Sequence, residues 1–120
     1  MNNYIAPGIT RPWVNGSGSD VVSGEVVVVG SQLAIAAVDI ASTETGEVQY
    51  TGRFSVPKVS AGVIADGEMV MYDASAAAFD DSAATPATGD VTNAATAVGA
   101  WAATTTTMEI QLADRLGTVA

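Results

Sequence analysis

The chain has 120 residues, four Lys plus Arg against thirteen Asp plus Glu for a formal net charge of -9, and neither Cys nor His. The length fits one compact domain, and the charge repels phosphate backbones and anionic lipid heads, which disfavours nucleic acid and membrane surfaces as partners. Without Cys or His, disulfides, thiolate and imidazole metal sites, and the Ser/His and Cys/His arrangements of hydrolytic chemistry are excluded, leaving carboxylates, one lysine, hydroxyls and tyrosines as reagents.

The opening MNNYIAPGITRPW lacks the basic and apolar regions of a secretory signal, and no apolar run approaches the ~20 residues that span a bilayer. The expectation is a protein made in a cytoplasm that stays soluble. Val and Thr supply 29 of the 120 residues, whereas Leu occurs only at Leu33, Leu112 and Leu116. Branched side chains pack well on a pleated surface and lose rotamer freedom in a helix, so the composition predicts an all-β fold. Alanine is abundant too, but much of it lies beside Thr, Asp, Gly and Ser, without the Leu, Glu, Lys and Arg of stable helices, and reads as loop filling and small-residue packing.

In chain order, residues 1 to 20 carry Pro7, Gly8, Pro12, Gly16 and Gly18 and close in NGSGSD, the composition of an extended arm. Either ITRPWV packs back as an edge strand, where Pro12 is tolerated, or the arm reaches a neighbouring chain and orders on binding. Residues 21 to 120 form the domain proper. Val26 to Val29, closed by Gly30, read as a short strand buried on both faces. LAIAAVDIA is a second strand with Leu33, Ile35 and Ala37 on one face. In EVQYTGRFSV one parity holds Val48, Tyr50, Gly52, Phe54 and Val56, the other Glu47, Gln49, Thr51, Arg53 and Ser55, which predicts one half-buried strand. Pro57 ends it, with Lys58 an exposed charge just beyond. KVSAGVIADG suits a helical turn or a loop, and EMVMYD is a further strand. Residues 74 to 95 are small and polar and predict an exposed loop or irregular hairpin anchored by Phe79. AVGAWAA and TTTMEIQLAD close the domain as a strand pair, with Met108, Ile110 and Leu112 on one face. Six or seven short strands predict a small single-domain β-barrel or β-sandwich with an extended N-terminal arm.

The chemistry-bearing constellations are weak. GEVVVVG lacks the Lys-Ser or Lys-Thr of a phosphate loop, and GSGSDVVSG precedes a strand instead of following one. Asp80, Asp81 and Asp90 share a loop but lack the alternation of a dedicated calcium loop. Asp66, Glu68 and Asp73 offer only the carboxylate pairs that any acidic β protein has. Lys58 would need an apolar pocket to act as a Schiff-base amine. Arg53 is either a cross-strand ion pair worth ~0.2 to 1 kcal/mol or a guanidinium facing a partner. No catalytic residue, metal or cofactor is expected.

Five segments in order, Ser23-Gly24-Glu25 with Val26 to Gly30, Ile35 to Ala41, Gly46-Glu47, Gly52 to Lys58 and Gly67 to Asp73, followed by Val98-Gly99, make residues 20 to 113 resemble the capsid decoration or cement proteins of tailed phages. Relatives of this kind are sometimes labelled RecA-like recombinases, and the missing phosphate loop and basic surface argue against that label. The resemblance implies a β-rich structural protein without catalysis. Its partner would be the major capsid protein, on the outer face of the virion head, with a homotrimer as the assembly. The N-terminal arm is then the first candidate for the contact, through Tyr4, Ile5, Ile9, Arg11 and Trp13, because aromatic anchors dominate interface energies. Arg53 is the further candidate, pairing with carboxylates on a neighbour. The alternative is a carbohydrate-binding or adhesive β module in which Trp13, Trp101 and Tyr72 stack on sugars.

Overall fold

The computed structural model describes residues 10–113 and 116–120, and among them there are strands and turns but no helix. The all-β expectation holds. The strands are β1 (Thr10–Val14), β2 (Val26–Val29), β3 (Gln32–Ala36), β4 (Thr45–Gln49), β5 (Thr51–Pro57), β6 (Met69–Asp73), β7 (Ala78–Asp80), β8 (Val91–Val98), β9 (Thr107–Ala113) and β10 (Thr118–Val119). They form two sheets. The first has the order β1-β4-β3-β2, and the second the order β5-β9-β8-β6-β7, with β10 added beside β8. The second sheet curls until its outer strands β5 and β7 meet at one end. There Lys58 bridges Phe79 and the Val59 amide donates to the Phe79 carbonyl at 2.8 Å.

Two apolar clusters follow from this arrangement. Leu33, Ile35 and Val26 of the first sheet pack on Val56, Val70, Phe79, Val91, Met108 and Ile110 of the second. The opposite face of the first sheet buries Val27, Ala34, Ala36, Val48 and Tyr50 beneath Val21 and Ile40. Alternation along β3 sends Leu33 and Ile35 to one cluster and Ala34 and Ala36 to the other, as period-2 geometry requires. Met108, Ile110 and Leu112 share the buried face of β9, as their spacing predicts.

Four expectations are corrected. The stretch from Glu47 to Val56 is not one strand. It divides at Tyr50 into β4 and β5, which belong to different sheets. The inward parity survives, but Val48 and Tyr50 enter one cluster while Phe54 and Val56 enter the other. Gly52, at φ 124, supplies a backbone conformation closed to other residues where the chain changes direction. The valine strand β2 is not buried on both faces, because it is an outer strand of its sheet and Val28 keeps 36% of its surface. Ala37 lies past the end of β3 and is exposed. Within residues 74 to 95 the hairpin reading holds, with β7 paired on β6 around fully buried Phe79, but the last five positions are not exposed loop, since β8 begins at Val91. Ala94, Ala95 and Ala97 are core residues of β8. Their small side chains let the curled sheet close on itself, which is the small-residue packing expected of part of the alanine content. The register slips between Val70 and Tyr72 opposite Asn93, which has φ 63, a bulge that bends β8.

Turns are held by polar side chains acting on the backbone. Asn15 is fully buried and uses both amide hydrogens, donated to the carbonyls of Ser19 and Ile40 at 2.9 Å each, while its oxygen accepts from the Ser17 amide and hydroxyl. NGSGSD is therefore a clamped turn. Carboxylates do similar work. Asp20 accepts from the Ser42 amide, Asp39 from Ser23, Asp66 from Gly99, and Asp73 from Ser75 and Ala76. Buried Asp90 accepts from Ala74 and Ala87. Glu68 joins two loops, accepting from Ser82 at 2.7 Å and from Ala65 at 3.2 Å. The Ser82 amide, ahead of the smaller opposing effect of desolvation and with help from Ala65, holds the Glu68 carboxyl below its ordinary value of 4.5.

Asn15→Ala removes four hydrogen bonds, one of them to the buried Ile40 carbonyl, and should cost about 2 kcal/mol, read by calorimetry as a fall of roughly 10 °C in Tm. A change of only a degree or two would show that the clamp is dispensable. For Glu68 the folded pKa is depressed, so its contribution is present above the unfolded pKa and is lost as pH falls through the folded one. Denaturant melts of wild type and Glu68→Gln should therefore differ at pH 7 and converge below about pH 4. A difference that persists undiminished at acid pH would contradict this role.

Candidate functional site

Tyr4, Ile5 and Ile9 lie outside the described residues. Arg11 and Trp13 lie on β1, which forms the edge of the first sheet and pairs with β4, Arg11 opposite Val48 and Trp13 opposite Gly46. The Arg11 guanidinium stands 4.2 Å above the Tyr50 ring centre and donates to Gln32 Oε1 at 2.9 Å. Such a cation over an aromatic face is worth ~0.5 to 1 kcal/mol at an exposed site. Trp13 is half-buried against the second cluster. Arg53 is remote in sequence from both and lies on β5, where its Nη2 is 2.9 Å from Glu109 Oε1 on β9. Glu109 stands opposite Ser55 in register, so the pair is a diagonal cross-strand one. Both groups are exposed, which limits its worth to ~1 kcal/mol or less.

Lys58 reverses its expectation. It is only 4% exposed, with Nζ donating to the carbonyls of Val59 at 3.0 Å and Thr105 at 3.4 Å, while its backbone amide donates to Thr106. Pro57 does not push the lysine into solvent. The chain instead turns inward at the seam of the curled sheet, where the ammonium fastens the loop before β9 to the end of β5. Nothing in the sequence separates such a lysine from a surface one, because its partners are main-chain carbonyls.

An open cleft of about 570 Å³ is lined by Trp13 and Val14 of β1, Ser17 and Ser19 of the following turn, Val26, Val27 and Val28 of β2, and Tyr72. Strands β1 and β2 are the two outer strands of the first sheet, so a shared cleft means that the sheet bends its edges toward each other. Residues of both parities line it from each strand. The cleft therefore runs along strand edges and not over one face. Glu25 stands at its rim. Burial, with smaller contributions from the Glu25 and Asp73 carboxylates, pushes the Tyr72 hydroxyl above its ordinary value.

The cleft holds little that could do covalent chemistry. Among the described residues no three acidic side chains gather as a metal site, and Asp90 spends both carboxylate oxygens on backbone amides. A sugar-stacking arrangement is not assembled either. Trp13 and Tyr72 share the cleft, but Tyr72 is buried with its ring tilted on Phe79 at 5.2 Å. Trp101 lies elsewhere, bridging Ile64, with its indole donating to the Val98 carbonyl. Sequence reasoning missed the cleft because only the pairing order reveals that β2 is an outer strand.

Neither curated proteins nor solved structures yield a match to the chain. The sequence model of the family described as phage cement protein matches residues 5–112. That span takes in every strand from β1 to β8 and nearly all of β9, and it contains the segments on which the resemblance rests. The chain belongs to the phage cement protein family.

Proposed function

We propose that this protein is a non-catalytic virion component that binds the outer face of a phage head and stabilises it by bridging neighbouring major-capsid subunits. The observation that carries this reading is the family match over residues 5–112. Two physical features support it. The acidic balance, -9 over the chain, discourages adhesion to packaged nucleic acid. Most described carboxylates hold backbone amides in turns instead of converging on a reaction centre.

The proposed assembly is a homotrimer, since closed symmetry lets identical contacts repeat. Several modest contacts made by one oligomer then give high avidity without a deep pocket. A ligand that favours the assembled shell over its parts stabilises it by mass action. The proposed contact residues are Tyr4, Ile5 and Ile9, with Arg11 and Trp13 at the start of the edge strand. Arg53 joins them through its exposed guanidinium, by exchanging Glu109 for a carboxylate on a neighbour.

Purified protein mixed with decoration-free heads of its phage should co-sediment with them to a fixed copy number and raise their melting temperature. Absence of saturable co-sedimentation would sink the proposal. Removing residues 2–9 should weaken that binding by about tenfold or more, the scale of one lost aromatic anchor. Unchanged affinity of a folded truncation would eliminate the arm as the contact.

A further inference from the structure

The turn after β1 begins with an Asn-Gly pair, Asn15 and Gly16. In a free chain this dipeptide is chemically labile, because glycine puts no side chain between its own nitrogen and the preceding amide. Hydroxide removes the glycine N–H proton, and the nitrogen attacks the asparagine Cγ. The bond from Cγ to the amide nitrogen then breaks, and ammonia leaves with a proton taken from water, which regenerates the hydroxide. Water opens the resulting cyclic imide at either carbonyl, leaving aspartate or isoaspartate.

In the folded turn every group of this reaction is held. Asn15 is fully buried. Its amide hydrogens go to the Ser19 and Ile40 carbonyls, and its Oδ1 accepts from the Ser17 amide at 3.1 Å and the Ser17 hydroxyl at 2.7 Å. Its backbone N–H donates to the Glu44 carbonyl at 2.8 Å, and its carbonyl accepts from the Thr43 amide at 2.9 Å. Attack by the Gly16 nitrogen requires the side-chain amide to turn its face toward that nitrogen, which breaks these bonds. The Ser17 donors stabilise charge on Oδ1 where it now lies, but the same rotation carries the oxygen out of their reach. Gly16 itself is exposed, and the backbone does not require a glycine there. A Cβ at Gly16 meets nothing within 4 Å, and its φ lies outside the left-handed region, in contrast to Gly18 at φ 88.

We propose that Asn15 and Gly16 form a latent deamidation site, kept unreactive by the folded turn, so that opening of the turn is recorded as an irreversible chemical change. The product cannot rebuild the clamp. An aspartate at this position has no hydrogens to give the Ser19 and Ile40 carbonyls, and its carboxylate is buried against them. An isoaspartate also adds a methylene to the main chain between β1 and Ser17. The turn therefore has a finite chemical life, set by how often it opens locally.

Full-length protein incubated at mildly alkaline pH, folded in buffer or unfolded in guanidinium chloride, tests this by peptide mapping of Asn15 with mass spectrometry. Conversion in the folded protein should be about a hundredfold slower than in the unfolded chain, or slower still. Gly16→Ala should fold and melt like wild type, and it should slow conversion of the unfolded chain by about tenfold, since it closes the approach that glycine leaves open. Ser17→Ala should leave the unfolded rate as it is and speed conversion of the folded protein by about fivefold, the scale of one lost hydrogen bond. Converted chains, separated by their added negative charge, should refold to a lower Tm than unconverted ones. Equal rates in the folded and unfolded protein overturn the proposal, as does an unfolded chain that stays unconverted at Asn15. A folded Ser17→Ala protein that reacts at the wild-type rate, or converted chains that recover the wild-type Tm, overturn the role of the clamp. Should Ser17→Ala fail to fold, the comparison of folded and unfolded wild type still decides.

Discussion

One run of alternating residues, from Val48 to Val56, belongs to both halves of the molecule, and the architecture hangs on the point where it crosses. Strands β4 and β5 are separated by Tyr50 alone, yet they lie in different sheets. With no slack in the connection, the two sheets cannot move independently. The short connection restrains the position of the first sheet over the second, and Leu33 and Ile35 fill the space between. The crossing carries a cost. Tyr50 is buried with no hydrogen-bond partner for its hydroxyl among the described residues, and its ring is covered by the Arg11 guanidinium. The edge strand β1, the crossing residue and the second cluster are thus one physical unit.

An acidic chain with few cations has to find other partners for its carboxylates. Here they are main-chain amides, which act as donors at turns that sheet pairing leaves open. The arrangement lets a chain without disulfides, and without helix among its described residues, define its loops, and at Glu68 and Asp73 it favours the ionised carboxylate. Acidity that looks in the composition like a solvated surface is in good part loop structure.

How much was legible follows from which forces are local. Alternation in β5 and β9 reads directly from residue types, since the inward faces carry Phe54 and Val56 or Met108, Ile110 and Leu112. So does the fold class, from the excess of Val and Thr. What failed was decided at long range. Whether four valines form a central or an outer strand depends on their neighbours across the sheet, not on themselves. Ala94, Ala95 and Ala97 are core residues only because the second sheet curls tightly above them. Lys58 is buried through carbonyls that every residue possesses. The Arg53 to Glu109 pair spans 56 positions; a cross-strand partner for Arg53 was one of two readings of the sequence, and which carboxylate it is follows only from the register of β5 on β9. The cleft had no signature at all, being a property of sheet order and bend.

The burial of the chain's single lysine also bears on resistance to proteolysis. Proteases that cut after basic residues need an exposed, flexible segment to engage. In this protein Lys58 is locked into the seam between β5 and the loop before β9. Arg11 is followed by Pro12, whose ring hinders cleavage of the bond before it, and Arg53 lies inside a strand paired along its length. Among the described residues, proteases specific for basic side chains therefore find few places to begin, through the positions of three cations instead of through exceptional stability.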